Sequence, residues 1–442
     1  MCYSSYAKRK MRNIVLITID DLRAANCSFM GYKRKTTPTL DKMAEEGLYF
    51  KNAIAPGPNT PSSMKAIFTG RYLEVDTGFG IINLLRDKII REISREQTLA
   101  QVLSEKGYST AAFTPTAYAS SYFGFDKGFN YFQDFIFKSR ESILSNLYRK
   151  IFQKFNKGEQ IAFILRSFLD FIQDNGAFMH WEKYYEDIIE WVENVQEPFF
   201  LWCFPLDTHY PYTAPKEFRK WSNFLDMYLF NFYYCWKITK TRGKLNFSEK
   251  ERKRLINAYD DSIYYVDSFV KRLWNDLKHL DPIFIIHADH GEAFGEHGFY
   301  AHPAYLYEEL IHVPLIIYNA GLKGEIEKPV SLLSLAPTIL ELIGEKNQFP
   351  SKSFLNNGED IIISKAYNGE RKIAVRIGDW KYIEGQKEGG ELFNLREDPN
   401  ERENLIGEYP ELAKEMKNIV KVHIRHEEEK RKIRERIQRI II

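Results

Sequence analysis

The chain has 442 residues, 44% of them hydrophobic, with 62 Lys and Arg set against 60 Asp and Glu. That apolar content excludes global disorder, and the length suits either two or three domains or one large α/β domain with an appendage. The near balance of charge offers no basic field for a nucleic-acid partner.

From the N-terminus, residues 1–10 read as a disordered leader. Asn13–Ile19 then reads as a first core strand, because its apolar run is too short for a signal segment and ends in two aspartates. Helical patterns follow at Thr39–Glu46, Pro61–Phe68 and Thr98–Lys106, with a strand at Thr110–Thr114. Residues 139–195 read as a helical insertion rich in Phe, Lys and Glu, and 214–250 as a second one. Their aromatic content suggests packing or a lid in preference to a membrane contact. Further strands are expected at Phe199–Phe204, Ile283–Ala288 and Pro314–Tyr318, and helices at Leu255–Leu277 and Leu332–Leu342. Continuous apolar strands alternating with helices predict an α/β/α sandwich whose mostly parallel sheet is covered on both faces. From about 351 the segments shorten and alternate, which predicts a small C-terminal antiparallel subdomain. The tail from Pro410 reads as a charged helix, solvated by default. The expected organisation is therefore a catalytic domain over 11–350, a subdomain over 351–409 and a helix over 410–442.

Four cysteines, Cys2, Cys27, Cys203 and Cys235, are widely spaced and form no CxxC pair. They read as free thiols, and a cytoplasmic enzyme is the default expectation. No stretch reaches the roughly 18–20 apolar residues of a membrane span.

Three clusters carry chemistry. Asp20 and Asp21 close a strand that looks buried on both faces, where a bound cation would offset the cost of unpaired carboxylates. The bland alternatives are a helix cap or a salt bridge to Arg23. The segment ADHGEAFGEHG places Asp289, His290 and His297 after another apolar strand. Five of the ten histidines, His287, His290, His297, His302 and His312, fall in this region, which suggests metal or phosphate chemistry. Ligand sites gather beyond the carboxyl ends of parallel strands, so Asp20 and Asp289 would share an edge if their strands are neighbours. In NTPSSMKAIFTG, Thr60 reads as the N-cap of a helix with Pro61 at its first position. A hydroxyl there also meets the positive end of the helix dipole and free backbone N–H groups.

These motifs resemble the sulfatase-like family of the alkaline phosphatase superfamily. The resemblance runs through NIVLITIDDLRA, the TPTLD-to-FTG block, HADHGEAFGEHGFYAHPAYLYEELIHVPLIIY and the WKYI…ELFNLREDPNERENL piece, from about residue 12 to 406. It implies an alkaline-phosphatase-like fold and an enzyme that hydrolyses or transfers a phosphate or sulfate ester. By position it implies a divalent metal (Mn, Zn or Ca) held by Asp20, Asp21, Thr60, Asp289 and His290. Thr60 falls on the nucleophile position, His209 on a histidine near the leaving group, and His302 on a residue that contacts the ester oxygens. Lys65 is a further candidate for that contact. Sulfatases of this family carry Cys or Ser, matured to formylglycine, where this chain has Thr60, and Arg where it has Met64. The resemblance therefore points to the threonine variant found in phosphodiesterases and phosphoglycerol transferases. A sulfate-ester hydrolase working without formylglycine and a non-catalytic metal-binding protein are the alternatives. The expected partner is a phosphorylated or sulfated small molecule, a glycan or a lipid head group, with a homo-oligomer also open.

Overall fold

The computed structural model describes residues 11–77, 86–134, 179–241, 243–355, 359–386 and 389–441. The leader 1–10 and residues 139–178 of the first helical insertion lie outside the described residues.

Eight strands form the central sheet. In spatial order they are Gly324–Ile326, Leu48–Phe50, Leu315–Tyr318, Ile283–Ala288, Ile14–Ile19, Phe199–Cys203, Ser109–Thr114 and Tyr131–Asp134. Every neighbouring pair is parallel except the two made by Leu315–Tyr318, which runs against both its partners. The strands Ile14–Ile19, Phe199–Cys203 and Ile283–Ala288 are buried at every residue. Helices on both faces cover them, which is why their sequences are apolar without alternation.

The helices start and stop where their sequences signal it. Leu99–Glu105 begins with a capping box in which Thr98 and Gln101 satisfy each other's backbone N–H groups. Glu249–Leu277, the 29-residue helix over the sheet, begins with the same device at Ser248 and Glu251. The helix Thr60–Thr69 departs from expectation in one respect. Asn59, not Thr60, is its N-cap, with its side chain accepting the Ser62 N–H. Thr60 is thereby freed from capping and becomes the first helical residue.

A separate four-stranded antiparallel sheet, ordered Ile362–Asn368, Glu370–Ile377, Trp380–Glu384 and Glu391–Asn394, follows toward the C-terminus. The helix Pro410–Ile441 is not wholly solvated. Ala413, Met416 and Val420, spaced at helical intervals, pack against Ile373, Val375, Tyr382 and Leu392 of that sheet. Cys27, Cys203 and Cys235 are free and buried.

Candidate active site

The register of two strands builds the base of the site. Ile14–Ile19 and Ile283–Ala288 lie side by side and parallel, with Ile19 opposite Ala288. Asp20 and Asp289, the next residues of each, therefore leave the sheet together at its carboxyl edge. Phe199–Cys203 flanks Ile14–Ile19 on the other side and sends His209 to the same edge. Asp21 holds φ at 56°, a left-handed conformation that few residues other than Gly adopt but Asp tolerates.

Thr60 arrives from the helix Thr60–Thr69. Its Oγ1 lies 3.4 Å from Asp20 Oδ1 and 3.3 Å from His290 Nε2. His290 Nε2 is also 3.6 Å from Asp20 and 3.4 Å from Asp289. Its Nδ1 lies 3.0 Å from the Gly291 carbonyl oxygen and 2.8 Å from Asp21 Oδ1, which turns Nε2 toward the acids. Gly291 is required next in the chain, because a Cβ there would run into the backbone oxygen of Glu309.

Asp20, Asp21, Asp289, His290 and Glu292 are all completely shielded from solvent. Burial drives the Asp20 carboxyl well above its ordinary range, and the charges of Asp289 and Asp21 push the same way. Burial also raises Asp289. Asp21 is opposed by burial too, yet His302 and His290 outweigh it and hold its carboxyl below the usual range. His290, despite its burial, is lifted to about 9 by Asp289 and Asp21. Asp20 Oδ2 and Asp289 Oδ2 are buried without a hydrogen-bond partner among the described residues. Crowded buried carboxylates with unused lone pairs beside one imidazole nitrogen fit a divalent cation, which would replace the proton on His290. Asp20, Asp289 and His290 present ligand atoms within 4.8 Å of one another, as do Asp20, Asp21 and His209. Thr60 Oγ1 borders the first group.

Two histidines form the opposite wall. His209 is half-buried, and its Nδ1 lies 2.6 Å from the Tyr210 carbonyl oxygen while its ring stacks on Tyr210 at 4.4 Å. Burial lowers it to about 4, so at neutral pH Nδ1 carries the only proton and Nε2 is a lone-pair acceptor. His302 is the reverse case. Burial acts against its charge, but Asp21 and Glu292 raise it well above its ordinary value. Its Nδ1 lies 2.9 Å from Glu292 Oε2 and 3.1 Å from Asp21. Tyr212 donates its hydroxyl to the other Glu292 oxygen at 2.6 Å.

The tertiary structure sorts the remaining candidates. Arg23 pairs with Glu296 at 2.8 Å, so a salt bridge to Arg23 does not explain the aspartate pair. Of the five clustered histidines, only His290 and His302 reach the site. His287 joins a buried chain with Thr18 and Trp202 beneath the edge. His297 bonds Glu309 and the Glu401 carbonyl oxygen and stacks on Tyr307, and His312 bonds the Lys51 carbonyl oxygen. Metal or phosphate chemistry is thus not the reason for those three. Lys65 is neither at the ester position nor exposed. It is 3% accessible, donates to the Tyr72 carbonyl oxygen at 2.6 Å and lies 3.6 Å from Glu92. Lys65 stands five residues beyond Thr60, so the helix turns it roughly 140° away from the Thr60 side. Glu292 was not read from the sequence as a site residue. Its signal was available: an acid two residues beyond His290, in the loop after a strand buried on both faces.

A mostly parallel sheet with acids and histidines gathered beyond its carboxyl edge is the layout of an α/β protein that binds its ligand at the strand ends. The sulfatase family model matches residues 12–345, and the chain belongs to that family. A sulfatase of Formosa agariphila is 26% identical to it over 435 aligned residues, covering 88% of this chain and 82% of that one. The phosphonate monoester hydrolase of Agrobacterium radiobacter shares the fold at a TM-score of 0.66 and 16% identity, covering 95% of this chain and 96% of that one. A structure solved with its substrate D-glucosamine-2-N,6-O-disulfate does so at 0.62 and 17%, covering 94% and 97%.

Proposed function

We propose that the chain cleaves a phosphate ester, mono- or diester, with Thr60 as nucleophile. The observation that carries this reading is the position of Thr60 Oγ1: at a helix N-terminus, within 3.4 Å of Asp20 and 3.3 Å of His290. Asp20, Asp21, Asp289, His290 and Thr60 would hold a divalent metal, which supplies positive charge to acidify the hydroxyl and offset the charge of the ester oxygens. Thr60 passes its hydroxyl proton to Asp20 Oδ1, 3.4 Å away, as Oγ1 attacks phosphorus in line; the O–P bond forms, the bond to the leaving oxygen breaks, and the proton returns to Oγ1 when water releases Thr60. The positive end of the dipole of the helix Thr60–Thr69 lies at Thr60 and favours the same negative charge. His302, held as an imidazolium by Glu292 and Asp21, suits the role of proton donor to the leaving oxygen. His209, neutral at Nε2, suits the role of acceptor for the proton of the water that releases Thr60.

A sulfate ester is the second reading, favoured by the sulfatase of Formosa agariphila and the disulfated sugar bound by a structural neighbour. Against it stands Thr60, whose oxidation would yield a ketone rather than the aldehyde of formylglycine. The test is turnover of an aryl phosphate monoester, an aryl phosphodiester and an aryl sulfate by the wild type and Thr60→Ala, with Mn, Zn, Mg or Ca restored after chelation. Metal-dependent cleavage of a phosphoester that disappears in Thr60→Ala is the expected result. Turnover of the sulfate alone reverses the order of the two readings.

A further inference from the structure

The wall of the site is built on a helix whose outer side is unlike the rest of the surface. Leu225–Phe230 forms a π-helical turn that runs directly into the helix Asn231–Thr241. Its inner side is tied to the segment carrying His209. Asn231 clasps Tyr212, donating to its carbonyl oxygen at 2.6 Å and accepting its N–H at 3.3 Å. The Met227 sulfur accepts the Ala214 N–H, and Tyr234 meets Tyr210 edge-on at 6.3 Å.

The outer side carries Phe224, Leu225 and Leu229, exposed to 60%, 57% and 56%. Among the described residues no other stretch this short exposes three large apolar side chains so far. Leu225, Leu229, Tyr233, Trp236 and Lys240 continue one line along the helix, with Tyr233 and Trp236 half-buried and stacked at 6.2 Å. The Lys237 ammonium sits over the Tyr233 ring at 5.3 Å and that of Lys240 over Trp236 at 5.1 Å. Charge is one-sided here. Residues 219–241 hold Arg219, Lys220, Lys237 and Lys240 against a single acid, Asp226, which is buried and ion-paired to Arg254. The whole chain, by contrast, is balanced at 62 basic and 60 acidic residues.

We propose that this face docks on an anionic lipid surface, lying in the interface with Phe224, Leu225 and Leu229 among the acyl chains and the basic groups at the phosphate level. A row of apolar side chains bordered by lysines that lean on aromatic rings is the pattern of interfacial helices. The four basic groups of this stretch match an anionic surface, with Glu251 near enough to Lys237 to feel its charge. No helix among the described residues is long and apolar enough to cross a membrane. Docking would bring the site wall, through Asn231 and Tyr212, next to the lipid head groups. The inference stands apart from the choice between phosphate and sulfate ester.

The test is co-sedimentation of the full chain with vesicles of two parts phosphatidylcholine to one part phosphatidylglycerol, and with phosphatidylcholine alone. The expected result is binding to the anionic vesicles that high salt weakens, with little binding to the neutral ones. Leu225→Ser with Leu229→Ser, and separately Lys237→Glu with Lys240→Glu, should each reduce it about tenfold or more at an unchanged thermal midpoint. Should the leucine pair fail to fold, the lysine pair carries the test. Wild type that stays in the supernatant with anionic vesicles overturns the proposal. So does a dimer in solution that the leucine pair dissolves, because the face would then belong to a second copy.

Discussion

Glu292 Oε2 lies 2.9 Å from His302 Nδ1, and this contact decides which nitrogen of His302 is available to a ligand. With Nδ1 directed at Glu292 and Asp21, only Nε2 can face an ester. Partners of this kind around a metal site are worth about tenfold to a hundredfold in activity when removed. Glu292→Gln should lower kcat by that order, while metal content by elemental analysis stays at the wild-type level. Unaltered kcat would show that Glu292 matters only to packing.

Metal affinity should rise with pH. The imidazole of His290 stands near 9 because Asp289 and Asp21 hold its proton despite burial. A metal must displace that proton, so apparent affinity should climb by up to about tenfold per pH unit between neutrality and 9. Titration calorimetry with Mn or Zn at three pH values measures it. A flat profile would mean that His290 is not a ligand.

Asn59 links stability to chemistry. Its side chain accepts the Ser62 N–H at 3.3 Å and the Ser62 hydroxyl at 2.7 Å, and donates to Thr77 at 2.8 Å. Asn59→Ala should cost about 1 kcal/mol in denaturant unfolding. Since Thr60 is the next residue, turnover should fall further than that small loss of folded protein explains. Equal small losses in both would place Asn59 in the fold alone.

The joint between the central sheet and the C-terminal sheet should weaken in acid. Glu308 receives Lys381 at 2.7 Å and Arg376 at 3.2 Å. Burial opposes its ionisation, but those cations bring it from 4.5 down to about 2. A carboxyl lowered on folding contributes stability that is complete above pH 4.5 and lost as the pH falls toward 2. Glu308→Gln should flatten this part of the profile in thermal unfolding, whereas Glu411→Gln, on the exposed start of the last helix, should leave it intact.

Much of the scaffold could be read without coordinates. The fully buried strands announced themselves by unbroken apolar runs, and all five expected strands are present with ends within one residue. That the aspartates after two of them would share one edge of the sheet was legible because parallel neighbouring strands end on the same side. The helix behind Thr60 was legible too, although Asn59 took the capping role, since Asn is as good an acceptor there as Thr.

What the sequence by itself determined is thus local: strand and helix periods, the acids at strand ends, and the hydroxyl at a helix start. Only the tertiary structure decided which side chains converge. His290 and His302 meet across Asp21, whereas His287, His297 and His312 turn to Thr18, the Glu401 carbonyl oxygen and the Lys51 carbonyl oxygen, in distant parts of the chain. Lys65 points to Glu92 instead of the ester position, and Glu292 finds His302 and Tyr212. The reason is physical. Backbone periodicity depends on neighbours a few residues away, but a buried polar side chain must satisfy its hydrogen bonds with whatever packing brings beside it, and those partners here lie up to hundreds of residues apart in the chain.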